Sequence, residues 1–225
     1  MIASFYELAL RIMPSLLRGT LITIEISVLS MIFAVLIGLA VALIRSWNVP
    51  VLSTVLGFYV EIWRATPLVV QLLILYFSLP DIGISLPAFA AGVIGLSLNL
   101  GAYLSEVFRA AITSIDKGQT QAGLALGLTK WLTFYKIILP QALRISLPTL
   151  GGYFISLLKD SSLVSFISIN DLLRQGTIEI ATTFRTMEIY IIVAFIYCIL
   201  SFTSSKLSKI IEFRLTPEYQ RDVKH

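Results

Sequence analysis

Between Ile26 and Ile44 the chain carries no charged residue. That length is close to the twenty or so apolar residues with which an α-helix crosses the ~30 Å hydrocarbon core of a bilayer. Four further apolar runs follow. Leu52–Leu79 is interrupted by Glu61, Arg64 and Pro67, and Ile82–Ser105 contains a third span starting near Pro87. Ile145–Leu158, between Arg144 and Lys159, is the shortest. As a helix it reaches roughly 21 Å, so it needs snorkelling ends or burial against neighbours. Ile189–Ser205 is the fifth. Only 13% of residues are charged and 57% are hydrophobic, with a mean hydropathy of +0.89. A globular domain carries roughly a quarter charged residues. The expectation is an all-α integral membrane protein of about five transmembrane helices, with no room for a large soluble domain.

Five spans put the two termini on opposite sides. One set of connections holds Arg45, then Arg109, Lys117, Lys130, Lys136 and Arg144, then Lys206, Lys209, Arg214, Arg221 and Lys224, eleven in all. The other holds Arg11, Arg18, Lys159, Arg174 and Arg185, five in all. The positive-inside rule then predicts an outside N-terminus and a cytoplasmic C-terminus. The net charge of +4 is explained by span ends, without nucleic acid. Met1–Met13 has Glu7 and Arg11 within the pattern Phe5, Leu8, Ala9, Ile12. It reads as an amphipathic interfacial segment rather than a signal peptide.

The same count places Gln121–Pro140 in the cytoplasm. Leu124, Leu128, Trp131, Leu132 and Tyr135 recur there at helical spacing, with Gly123 and Gly127 on the other side. This predicts a helix of about five turns. Its stripe could lie on lipid, sit in a small internal core, or fit a groove on a soluble partner.

Chemistry is sparse. The single Cys198 lies in an apolar run and the single His225 is the last residue, so neither metal nor disulfide is expected. There is no G-x-x-x-x-G-K-[ST] and no G-x-S-x-G, which leaves a membrane enzyme little support. Polar groups at membrane depth are costly and therefore informative. Glu61 and Arg64, at i and i+3, can pair on one helix face. Pro67 breaks or kinks the second span, and the freed backbone groups could face a cavity. Asn99 and Tyr103 share a face of the third span and Gln71 lies in the second. Interhelical hydrogen bonding is their simplest role. Glu106 and Arg109 form another i, i+3 pair. Lys159 and Asp160 close the fourth span as interfacial charges or as part of a pathway.

Several segments also carry a family resemblance. Gln121-Ala122-Gly123, Gly127 and the closing Ile137, Leu139 and Pro140 look like the EAA loop of ABC importer permeases. The family's pattern begins with Glu, and Gln121 leaves no carboxylate for a salt bridge there. Arg64-Ala65-Thr66-Pro67-Leu68 with Gln71 resembles the R-G/A-T-P-L-x-x-Q segment of polar amino acid permeases. Asn99–Arg109, Ser114–Gln119 and Leu158-Lys159-Asp160-Ser161-Ser162-Leu163 resemble further signatures of that family. The matches span about Thr20 to Gln175.

The resemblance implies a type I ABC importer permease fold. Residues 1–19 would be an amphipathic segment, 20–212 the transmembrane domain with a cytoplasmic coupling loop at about 118–140, and 213–225 a cytoplasmic tail. It implies ATPase coupling through Gln121, Ala122, Gly123, Leu124, Gly127, Leu128 and Trp131. The expected substrate pathway comprises Arg64, Gln71, Asn99, Tyr103, Lys159 and Asp160. An amino acid zwitterion needs partners of both signs, and that set offers them. The implied partners are ABC ATPase subunits, a second permease copy or paralogue, an extracytoplasmic amino acid-binding protein and membrane lipid. The chain binds no cofactor itself, and ATP and Mg are used by the ATPase. The expected location is the bacterial cytoplasmic membrane, and the motifs are most similar to cystine-type members. The rival reading is an ion channel or secondary transporter acting without an ATPase, which requires no docking helix and is disfavoured by the lack of an evident inverted repeat.

Overall fold

The computed structural model describes residues 2–47 and 49–215. Its regular structure among these residues is helical throughout. Helix α1 (Ile2–Ser46) leads to α2 (Leu52–Ala65) and α3 (Leu68–Leu73), which runs on through one π turn (Ile74–Ser78) and a 3₁₀ turn to Ile82. Helix α4 (Ala88–Thr113) is followed by the short α5 (Lys117–Ala125) and α6 (Lys130–Thr133), and a second π turn (Phe134–Ile138) feeds α7 (Leu139–Asp160). Helices α8 (Leu172–Thr183) and α9 (Thr186–Leu215) complete the order. Three helices are long and apolar enough to cross a membrane, and two bent pairs raise the number to as many as five.

The core forms where α1 lies along α4. Ile26, Ala34, Ala42, Leu96, Leu104 and Phe108 are buried there together. Small residues let the two backbones approach, as is usual between membrane helices. A Cβ on Gly38 would lie 2.8 Å from the Leu104 Cβ and 3.0 Å from the Gly101 carbonyl oxygen. The Ser97 hydroxyl donates across the same seam to the Ser30 carbonyl at 3.3 Å.

Several expectations are corrected. The amphipathic N-terminal residues are the first half of α1, so the boundary expected at residue 19 falls inside one helix of 45 residues. At 1.5 Å per residue it is roughly 67 Å long, well beyond a bilayer core. Its stripe is covered by protein rather than lipid, because Leu8, Ile12 and Leu16 are buried against Leu172, Ile189, Ile192 and Val193. The fourth span is not short. Helix runs from Lys130 to Asp160 and on to Ile167, and Arg144 and Lys159 are part of it. Asp171 is fully buried as the N-cap of α8, accepting from the Leu173 and Arg174 amides. The third span does begin right after Pro87. Of the tail expected at 213–225, residues 213–215 end α9, and Lys224, His225 and the remainder lie outside the described residues.

Candidate functional site

Two places interrupt the helices, and the residues singled out in the sequence gather at them. The first is the break between α2 and α3, whose two legs bend by 109°. Pro67 has no N–H to give the carbonyl four residues back, that of Trp63. In a membrane such an orphan has to find another donor. Two amides supply it. The Gln71 Nε2 donates to the Trp63 carbonyl at 2.9 Å, and the Asn99 Nδ2 donates to the same oxygen at 3.1 Å. Asn99 also donates to the Gln71 Oε1 at 2.9 Å, and Gln71 reaches the Thr66 hydroxyl at 2.6 Å. The interhelical role expected for Asn99 and Gln71 is therefore specific: they hold a broken span open and tie it to α4.

The break opens one wall of a cavity of about 460 Å³, in the range of small-ligand sites. Arg64, Asn99, Tyr103 and Asp160 line it, and Gln71 stands behind its wall. Lys159 does not line it; it is exposed beside Asp160. The expected pairing of Glu61 with Arg64 does not occur among the described residues. Glu61 is exposed, and the Arg64 guanidinium instead lies 5.3 Å from the centre of the Tyr103 ring. A cation over a ring face keeps its charge available. Neither Arg64 nor Asp160 has an ion-pair partner among the described residues. The cavity thus presents one cation and one anion, neither held in an ion pair among the described residues, although the charge of Lys159 acts on Asp160. Tyr153 and Ser156 also line it. Sequence reasoning missed them, although they sit seven and four residues before Asp160, on its face of α7.

The second interruption lies between α5 and α6. The expected five-turn helix does not exist. Gly127 has φ of +79°, where only glycine sits without strain. The Leu128 N–H donates to the Gly123 carbonyl at 3.1 Å and the Gly127 N–H to Leu124 at 3.0 Å, a Schellman stop. Thr129 then caps α6, accepting from the Leu132 amide at 3.2 Å. The run G-L-T-K-W is a stop followed by a start, and that signal was readable. Gly123 is buried for a different reason. A Cβ there would lie 2.5 Å from the Thr133 Cγ2, so α5 packs onto α6 only because the side chain is missing.

The turn rearranges the expected stripe. Leu124, Trp131 and Tyr135 are exposed, while Leu128 and Leu132 are half-buried. Leu126, which the stripe omitted, stands out most at 79% exposure. Gln121 and Ala122 are exposed beside it. Trp131 meets Trp47 at 4.5 Å between ring centres and stacks on Tyr135 at 6.3 Å. This end of the bundle is tied to the spans by charge. Glu106 takes Arg109 at 2.6 Å, as expected, and also takes Arg45 from the end of α1.

The α5–α6 pair thus exposes apolar side chains at one end of a bundle whose broken span lines a cavity. Comparison with known proteins identifies the fold. Residues 34–217 match the family described as binding-protein-dependent transport system inner membrane component. The chain belongs to this family. The permease is 43% identical over 203 residues to the L-cystine transport system permease protein TcyB of Bacillus subtilis (strain 168), covering 90% of this chain and 87% of that one. It is 39% identical over 204 residues to the glutamine transport system permease protein GlnP of Escherichia coli (strain K12), covering 90% and 93%. Its fold matches the crystal structure of an amino acid ABC transporter with histidines, with a TM-score of 0.85 and 40% identity over 91% of this chain and 96% of that one. An inward-facing MetNI methionine ABC transporter, at 21% identity, shares the fold with a TM-score of 0.78 over 92% and 99%. The expected type I ABC importer permease fold is the fold the permease has.

Proposed function

We propose that the permease passes a polar amino acid through the cavity beside the broken second span. The observation that carries this is the presence in one cavity of Arg64 and Asp160, neither held in an ion pair among the described residues. A zwitterion supplies both missing partners: its carboxylate suits Arg64, and its ammonium suits Asp160 and the Tyr103 ring. The similarity to permeases for L-cystine and glutamine supports the amino acid class, and cystine is the first substrate to try.

Power comes from partners. Two ATPase subunits would grip Leu124, Leu126 and Trp131, with Gln121, Ala122, Gly123, Gly127 and Leu128 shaping that surface. ATP and Mg bind there and not to this chain, which is a non-catalytic subunit. A second permease copy or paralogue completes the pathway, and an extracytoplasmic binding protein delivers the substrate. ATP binding draws the coupling helices together and opens the pathway outward, and hydrolysis resets it. The excess of basic residues on the α5 side supports an outside N-terminus in a bacterial cytoplasmic membrane.

The test is reconstitution. The permease co-purified with its ATPase and placed in liposomes with the binding protein should show ATP-dependent uptake of cystine or glutamine. Uptake without an ATPase would overturn the reading in favour of a self-contained transporter. Cysteine labelling in whole cells tests the orientation. Met187→Cys, at a 75% exposed position, should react with an impermeant reagent, and Ser114→Cys should react only after lysis.

A further inference from the structure

Helix α2 carries a carboxylate that the fold does not employ. Glu61 is exposed, and among the described residues it forms no ion pair or hydrogen bond. A neighbour fixes its depth. The Trp63 carbonyl, two residues on, accepts from the Asn99 amide at 3.1 Å. Asn99 lies 11 residues after the start of the spanning helix α4 and 14 before its end. At 1.5 Å per residue that is roughly 17 Å from one end and 21 Å from the other. Glu61 therefore sits near the middle of the bilayer. A charged side chain at that depth is strongly disfavoured against lipid, and faces protein or a water-filled cavity instead. Nothing within this chain covers it.

The surface around Glu61 is also unlike one made for lipid. Helix α9 exposes Phe195, Ile199 and Phe202, which suits hydrocarbon. On α2 the row through Glu61 is Thr54, Gly57, Glu61 and Arg64, flanked by Val55, Phe58 and Ile62. On α7 the exposed row is Thr149, Gly152, Ser156 and Asp160. A Cβ on Gly38, Gly95 or Gly101 would meet a neighbour within 3.0 Å, whereas one on Gly57 or Gly152 would meet nothing within 4 Å. Packing inside the chain does not ask these two to be small. The two rows belong to one wall. Tyr103 of α4 stands between them, its hydroxyl donating to the Arg64 carbonyl at 3.4 Å and its ring 6.3 Å from that of Tyr153. At one end the rows meet in the cavity, at Arg64, Ser156 and Asp160. Toward the α5–α6 end they continue as Glu61 and Gly57 on α2 and as Gly152 and Thr149 on α7.

We infer that this wall is the inner half of the passage, and that Glu61 is a second station in it for the substrate's ammonium. It lies about 4.5 Å along α2 from Arg64, on the way from the cavity to the coupling end. A carboxylate in a wet passage at mid-depth draws a cation, and the small residues beside it leave room for the rest of the substrate. An ammonium that leaves Asp160 then has a next partner on its way inward. Removing that partner slows passage without weakening first contact. The inference rests on the reading that the substrate crosses beside the broken span.

The experiment uses the assembled importer in a Cys198→Ser background, which removes the native exposed thiol. In nanodiscs, Glu61→Cys and Thr149→Cys should both react with a permanently cationic, membrane-impermeant methanethiosulfonate. In liposomes with the binding protein, Glu61→Gln should lower the maximal rate of uptake per assembled complex about tenfold and leave the half-saturating concentration unchanged. The amino acid used is cystine, or glutamine where cystine is not carried. Glu61→Asp, which keeps the charge, should recover most of the rate. If the Glu61 variants fail to assemble, Thr149→Cys decides. No reaction at either thiol in assembled complex overturns the wet wall. A disulfide between two permease copies would then assign the face to direct contact between them, and its absence would assign it to lipid. A wild-type maximal rate in Glu61→Gln overturns the station. So does a raised half-saturating concentration at unchanged maximal rate, which would move Glu61 into the first site. Labelling needs no substrate, so failure of the cavity reading at Arg64 and Asp160 is distinguishable from failure here.

Discussion

The two helix interruptions solve one problem in opposite ways. At Thr66–Pro67 a carbonyl loses its donor inside a membrane span, and side chains from two helices replace it. At Leu126–Thr129 the chain turns in an exposed loop, and the backbone closes the stop with its own N–H groups. The first break needs Gln71 and Asn99, and the second needs little beyond Gly127 and the Thr129 hydroxyl. The difference follows from the solvent. Water satisfies whatever an exposed turn leaves over, whereas hydrocarbon satisfies nothing. Each break runs into a π turn, Ile74–Ser78 and Phe134–Ile138, a feature frequent at functional sites.

Substitutions at the first break should cost the most. Gln71→Leu removes a donor to the Trp63 carbonyl and strands an Asn99 donor. The expected loss is about 2–3 kcal/mol, seen as a lower melting temperature and less assembled complex. A double-mutant cycle sharpens the point. Pro67→Ala restores an N–H for Trp63, so Gln71→Leu should cost about 1 kcal/mol less in that background. Additive losses would show that Gln71 has some other task.

At the second break the expected effects on stability are smaller and those on function larger. Gly127→Ala forces a side chain to φ of +79° and should cost about 1–2 kcal/mol locally. The spans should melt nearly as before, while ATPase retention and uptake fall. A Gly127 variant that keeps both would remove the coupling role from this turn. Leu126→Ser buries nothing new and should leave the melting temperature within experimental scatter. Its expected signature is weaker coupling alone, measured as ATP hydrolysed per amino acid transported.

What the sequence made legible followed the same divide. The charge-free run from Ile26, the third span after Pro87 and the Glu106–Arg109 pair were readable because hydropathy and i, i+3 spacing determine them locally. The break at Pro67 was readable, but not its repair. Asn99 reaches Trp63 across 36 positions in the chain, and no local pattern records that. The five-turn coupling helix was an error of period. Leu124, Leu128 and Trp131 keep helical spacing across a stop that Gly127 and Thr129 signal. The N-terminal stripe was seen but given to lipid, because its protein partners on α8 and α9 come about 160 to 180 residues later. Glu61 and Arg64 have pairing geometry, yet Tyr103 on another helix takes the guanidinium face. Of the expected pathway residues, Gln71 and Lys159 do not line the cavity.

The central claim is that Arg64 and Asp160, beside the broken span and outside any ion pair among the described residues, meet the substrate. Its most direct test is uptake per assembled complex in liposomes for Arg64→Gln and Asp160→Asn, with basal ATP hydrolysis and binding-protein affinity measured in parallel. Losing one charge-assisted hydrogen bond to a desolvated ligand is worth about 1.5–3 kcal/mol. The account therefore predicts a ten- to hundredfold fall in apparent affinity, with assembly, basal hydrolysis and the binding protein unaffected. Wild-type uptake per assembled complex in both variants would contradict it.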